Sequence, residues 1–206
     1  WMTPRRVQVA VCAMIVAGAA TSASATVYDR NAAVAYANKY WNEVVSDGYF
    51  WLNGNVSSVT YYGAGAPVPV NVSGEASGIG DDCAHFVSSC VGTPGGGLSI
   101  ATRVPPSYGE PGAARLDELL ISDGYGKQVS SVSQLTPGDV IGYDWDGSGK
   151  GSMGGIDHTV IYLGNNKIAA HATSHDGVAW NWGNSSSTLT YFVHITLHDS
   201  IVPTAP

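Results

Sequence analysis

An α+β fold is what this sequence predicts, on three observations. Helical apolar periodicities occupy the first two thirds of the chain, strand-like alternation occupies the last third, and Gly- and Pro-rich breaks separate the two. Helices first and strands afterwards favour an antiparallel sheet with helices packed on one side, since parallel sheets need helices between successive strands.

The elements follow in order. Arg5 and Arg6 precede the apolar run from Val7 to Ala20, and Ala23-Ser24-Ala25 is a small-x-small cleavage site. Residues 1–25 therefore read as a secretory signal peptide, and residues 26–206 as a single secreted, monomeric domain. Cys12 lies within the apolar run with no lipobox around it. Asp29 is placed to cap a first helix, in which Ala33, Val34, Ala37, Tyr40, Trp41, Val44 and Val45 recur at helical spacing until Asp47-Gly48. Residues 49–80 break short aromatic and valine runs with Gly and Pro, which predicts irregular connection with one short strand.

Gly80-Asp81-Asp82 then runs into Cys83-Ala84-His85-Phe86-Val87-Ser88-Ser89-Cys90-Val91. Apolar residues at 83, 86, 87, 90 and 91 define one buried helical face, with His85, Ser88 and Ser89 on the other. The helix ends at Gly92-Thr93-Pro94, and a further short helix spans Ala113 to Ile121. Leu135-Thr136-Pro137-Gly138-Asp139 is a turn leading into the strand Val140 to Tyr143. His158 to Leu163 and Lys167 to Thr173 form a hairpin around Asn165-Asn166, and Tyr191 to Leu197 is a last strand.

Cys83 is the chemically poised residue of this pattern. At the first turn of a helix, open N–H groups and the positive dipole end stabilise a thiolate, the nucleophilic form of cysteine. In an exported protein, Cys83 and Cys90 would by default form a disulfide. Seven residues along a helix separate their Cα atoms by about 10.5 Å, against the roughly 7 Å a disulfide tolerates, so both thiols are expected to be free. A base is available in His158, with His171 to orient it. An even-numbered hairpin loop places both on one face, with Val160 opposite His171 and His158 diagonal to it at about 7–8 Å.

At these residues a resemblance enters. Asp82-Cys83-Ala84-His85-Phe86-Val87-Ser88 resembles the Asp-Cys-Thr-Asn-Phe-Val-Ser motif of the putative amidase domain family, and Tyr28 to Ala37 is similar to its opening helix. Leu135 to Val140 and His158 to His171 resemble the turn and hairpin of the related NlpC-type cell-wall peptidases. The resemblance implies a papain-like fold, with Cys83 as nucleophile, His158 as general base and acid, and His171 as orienter. It departs in three places: the tyrosine those peptidases carry shortly before the cysteine has no counterpart, the hairpin is one residue longer, and His85 replaces Asn.

The expected activity is hydrolysis of an amide bond through a Cys83 thioester, with transfer of the acyl group to an amine or alcohol left open. The substrate is an extracellular peptide or amide, with peptidoglycan peptides as the class the likeness suggests, and Asp82 and Trp180 are candidate substrate-binding residues. No cofactor and no metal are called for. Two alternatives remain. Zinc is one, from the ligand-like spacings His171-x-x-x-His175 and His194-x-x-x-His198. The other is a non-catalytic module in which Trp180, Trp182 and Tyr191, near Asn181 and Asn184, stack on sugar. Asp144, Asp146 and Ser148 alternate as in a calcium loop but lack a closing carboxylate, so they read as a solvated turn. The formal charge of −7 becomes about −9 without the two leader arginines, which makes nucleic acid and anionic lipid unfavourable partners.

Overall fold

The computed structural model describes residues 27–51, 59–69, 82–100, 109–149, 151–171 and 174–197. The signal segment, the Gly80-Asp81 loop ahead of Cys83, and His198 lie outside the described residues.

Asp29 caps α1 (Arg30–Tyr40) as expected, its side chain accepting from Ala32 N at 2.9 Å. The helix ends several residues before Asp47, because the N–H groups that would continue it find acceptors elsewhere. Val44 N donates to Ala66 O at 2.7 Å and Ser46 N to Tyr36 Oη at 2.9 Å. Val44 and Val45 are nonetheless fully buried, so their apolar periodicity reported burial rather than helix. Two short strands form where one was expected: β1 (Tyr49–Trp51) pairs antiparallel with β2 (Val59–Tyr61).

Helix α2 (Cys83–Val91) begins and ends where the apolar spacing puts it, and α3 (Ala113–Ser122) follows. The expectation of an outer polar face on α2 does not hold, since all nine residues are buried, His85, Ser88 and Ser89 included. Those polar groups are satisfied internally: Ser88 Oγ donates to His85 O at 3.0 Å and accepts from Glu110 N at 3.2 Å.

The remaining strands are β3 (Gly126–Val129), β4 (Val140–Asp144), β5 (His158–Gly164), β6 (Lys167–Ala170), β7 (His175–Ala179) and β8 (Leu189–Ile195). They form one antiparallel sheet in the order β3-β8-β4-β5-β6-β7. The α+β class, with the cysteine-bearing helix against an antiparallel sheet, is as the sequence predicts. Asp139, closing the Leu135 to Asp139 turn, ties the chain start to the sheet: it pairs with Arg30 at 2.6 Å and accepts from Ile195 N at 2.9 Å and Thr136 N at 2.7 Å.

Alternation gives the sheet two faces. Val140, Ile161, Ala169, Val193 and Ile195 pack with Cys83, Phe86, Val87 and Cys90 in the core beneath the helices. Ile141, Tyr143, Val160, Tyr162, Ile168, Ala170 and Phe192 form a second core on the outer face. The β7–β8 connection crosses that outer face: the Trp180 carbonyl accepts from the Tyr143 hydroxyl, and the Trp180 ring meets Phe192 edge-on at 5.5 Å.

The β5–β6 hairpin turns on Asn165 and Asn166, both at positive φ (52° and 59°), as a two-residue primed turn requires. Its register, however, is broken by a bulge. Gly164 faces Lys167, but the next pairs are Tyr162↔Ile168 and Ile161↔Ala169, leaving Leu163 as the extra residue. One residue of slip exchanges faces for everything beyond it. Carried two residues further, this register sets His171 opposite Thr159, not Val160.

Candidate functional site

Cys83 opens α2 and is 6% exposed. Neither Cys83 nor Cys90 is in a disulfide, as the helical spacing required. Cys90 is fully buried in the helix-side core, and burial raises its thiol pKa well above the ordinary value, so it behaves as a small core hydrophobe.

The residue before the nucleophile organises what surrounds it. Asp82 is the N-cap of α2, yet its carboxylate makes no capping bond to the helix. Its Oδ1 accepts from Trp51 N at 3.1 Å and contacts His85 Nδ1 at 2.9 Å, while Oδ2 contacts His171 Nδ1 at 2.8 Å. His85 Nε2 in turn meets Asp47 Oδ2 at 2.8 Å. Asp82, His85 and His171 are fully buried, so a continuous carboxylate–imidazole relay, Asp47–His85–Asp82–His171, runs beneath the start of the helix. Burial alone would lower the His85 pKa, but the Asp82 charge and the Asp47 hydrogen bond prevail and push it up to about 9, keeping it an imidazolium at neutral pH. Burial opposes ionisation of Asp82, yet the His85 charge and the His171 hydrogen bond hold its pKa below the ordinary carboxylate range. The expectation that Asp82 touches substrate is corrected by this: a fully buried carboxylate with three polar neighbours has no surface to offer.

His171 follows β6 on the helix side of the sheet. Its ring stacks on Phe86 at 4.1 Å and 14°, and its Nε2 lies 2.5 Å from Tyr40 O. It thus contacts the relay at the start of α2, and Asp82 orients it.

His158 is not brought there. It pairs across β4–β5 with Tyr143 and stacks on Tyr143 at 6.3 Å and on Trp145 at 5.0 Å, which puts its ring on the outer face. Both histidines stand at the end of the sheet near the start of α2, but strand backbone separates them. The expected triad Cys83–His158–His171 is therefore not assembled, and its parity argument fails at one residue, the bulge at Leu163. Burial, with the nearby His175 second, pushes the His158 pKa down to about 4, so the ring is neutral at physiological pH.

Trp180 is half-buried against Phe192, which makes it a core residue more than a contact for substrate. The zinc set does not assemble either. His171 lies on the helix side, His175 opposite Ala170 faces outward, and His194 Nδ1 is bound to Asp139 Oδ2 at 2.7 Å. Among the described residues, the group with metal-like proximity is Asp144, Asp146 and Asp157, with ligand atoms within 4.8 Å. Those carboxylates accept from the N–H groups of Ser148, Gly149 and Trp145; Asp144 is fully buried and Asp157 adds a third carboxylate, so the turn is less solvated than the sequence suggested.

Sequence reasoning missed Asp47 and His85 as relay members. The signal for His85 was present: Asp82 and His85 are three residues apart at a helix start, a spacing that brings side chains into contact.

Comparisons with known proteins place these residues in context. The putative amidase domain matches residues 27–105, from ahead of α1 through the Cys83 helix. Among solved structures, the chain is similar to RipD from Mycobacterium tuberculosis, described as a non-catalytic NlpC/p60 domain protein adapted to peptidoglycan binding. Identity is 15% and the TM-score 0.43, over 80% of this chain and 95% of that one. It is also similar to the resuscitation promoting factor interacting protein RipA carrying a mutated cysteine, at 20% identity and a TM-score of 0.41, over 81% of this chain and 63% of RipA. Comparison with curated proteins gives no match. No helix among the described residues is long and apolar enough to cross a membrane.

Proposed function

We propose, taking as premise that residues 27–105 match the putative amidase domain, that this chain is a secreted cysteine amidase with Cys83 as nucleophile and His171, held by Asp82, as its imidazole. One observation carries the reading: the 2.8 Å contact between His171 Nδ1 and Asp82 Oδ2. A carboxylate on Nδ1 is the arrangement that fixes an imidazole with its other nitrogen available for a nucleophile's proton. Here the carboxylate is the residue next to the cysteine.

In this mechanism His171 Nε2, which donates to the Tyr40 carbonyl in the resting structure, releases that proton to solvent as it turns to the Cys83 thiol, and then takes the thiol proton. The thiolate adds to the amide carbonyl, and N–H donors at the start of α2 stabilise the oxyanion. The protonated ring then gives its proton to the departing amine, and water hydrolyses the thioester. Export, expected from the leader, directs the activity to extracellular amides, with peptidoglycan peptides as the leading class.

A second reading is favoured by one specific contact. His171 Nε2 lies 2.5 Å from Tyr40 O and the ring is stacked on Phe86. An imidazole that never leaves this position is structural, and the domain is then a binding module. Mass spectrometry of peptidoglycan fragments and small peptide amides incubated with each protein separates the readings. Wild type and His158→Gln should release the same products, while Cys83→Ala and His171→Gln should release none. Products from Cys83→Ala matching wild type would refute cysteine chemistry. Activity lost in His158→Gln but kept in His171→Gln would refute the assignment of the base, and inactive wild type would establish the binding module.

A further inference from the structure

The outer face of the sheet carries a cluster that the amide chemistry does not use. Tyr143, Trp145 and His158 are stacked nearly parallel, with Trp145 outermost and 38% exposed. Beside them His175, which interacts electrostatically with His158, lies against Trp182 at 3.9 Å, and Trp182 is 46% exposed. Two large indoles are thus presented to solvent on either side of a histidine pair.

Two polar atoms in this region are buried and have no hydrogen-bond partner: Nε2 of His175 and Oδ1 of Asn184, the latter on the loop that carries Trp182. Leaving a buried polar atom unpaired destabilises the fold, and a ligand group that pairs with it recovers that loss. The ligand must therefore supply both flat apolar surface for indoles and hydroxyl or amide groups for a neutral imidazole and an amide oxygen. Burial lowers the pKa of both histidines and the chain is net negative, so neither imidazole supplies positive charge to an anion at neutral pH. A β-linked sugar, whose equatorial hydroxyls leave a flat C–H face, combines these properties.

We propose that this outer face binds a neutral β-linked oligosaccharide, stacked on Trp145 and Trp182, with the exposed Trp182 ring shifting off His175 so that a sugar hydroxyl reaches Nε2. The site stands on the opposite side of the sheet from Cys83, so it neither requires nor supplies amide hydrolysis.

The test is titration of the wild-type protein with chitotriose and with cellotriose, read by tryptophan fluorescence and by calorimetry. Saturable binding of at least one trisaccharide with a Kd on the order of 1 mM or tighter is expected. Trp182→Ala and Trp145→Ala should each weaken it about tenfold. His175→Phe, which keeps an aromatic ring against Trp182 but removes Nε2, should weaken it as well, with native circular dichroism as the control for folding. Turnover of a small peptide amide should be the same in Trp182→Ala as in wild type. Absence of saturable binding by both sugars, wild-type affinity in both tryptophan variants, or binding of tetramethylammonium in place of sugar would overturn the proposal.

Discussion

Asp117→Asn should stabilise this protein, and increasingly so as pH rises. Asp117 on α3 is fully buried, its Oδ1 accepts from Thr159 Oγ1 at 2.9 Å, and its Oδ2 has no partner. The carboxyl fits only because position 142, facing it, is glycine. Burial pushes its pKa from 3.8 up to about 7, against the smaller opposing effect of the Thr159 hydrogen bond. Below pH 3.8 both folded and unfolded chains hold the proton and there is no penalty. Between there and pH 7 only the folded chain holds it, so stability falls by about 1.4 kcal/mol per pH step and then levels off, for a total of about 4 kcal/mol. Asn is the neutral isostere, so the variant escapes this loss. Urea denaturation followed by circular dichroism should show its advantage growing by about 2–3 kcal/mol between pH 5 and pH 8. An advantage that stays constant over that range would refute the buried-acid reasoning.

Other outcomes follow from the same packing. Gly142→Ala should destabilise by about 1–3 kcal/mol in the same assay, since its Cβ would press on Asp117 and stand 2.8 Å from Ile156 Cδ1. Phe86→Ala removes a fully buried ring and the stacking partner of His171, so a loss of about 3–5 kcal/mol is expected, with the tautomer and ring signals of His171 altered in NMR spectra. His85 should remain protonated in NMR titrations until about pH 9. Because its folded pKa is raised, its stabilising contribution is complete below about pH 6.5 and is lost as pH rises through 9. The wild-type and Asp117→Asn chains share this loss, so their difference isolates Asp117.

Much of the fold was legible in the sequence because burial writes its period directly. The apolar positions 83, 86, 87, 90 and 91 set both ends of α2, and Asn165-Asn166 marked the hairpin turn. What was not legible depended on partners distant in sequence. Val44 and Val45 continue a helical pattern, but the Val44 backbone is claimed by Gly65 and Ala66 and the Val45 carbonyl by Gly48. His85 sits opposite the apolar stripe, but an Asp47 brought in by the β1 approach makes its burial tolerable. The bulge at Leu163 left one signal, the positive-φ Gly164 beside it, which reads equally as part of the hairpin turn, yet it moves His171 to the face of Cys83 and leaves His158 on the other. The site residues were therefore recognisable as types, and their grouping was not.

The most direct test of the central claim is the rate at which iodoacetamide modifies Cys83, followed by peptide mass spectrometry across pH, with Cys90 as the internal reference. If the helix start and the Asp82–His171 pair hold an ionisable thiol, Cys83 should be alkylated far faster than buried Cys90 at pH 7. The pH profile for Cys83 should shift upward in His171→Gln and stay unchanged in His158→Gln. A Cys83 as inert as Cys90, or a profile that responds to residue 158 and not to 171, would contradict it.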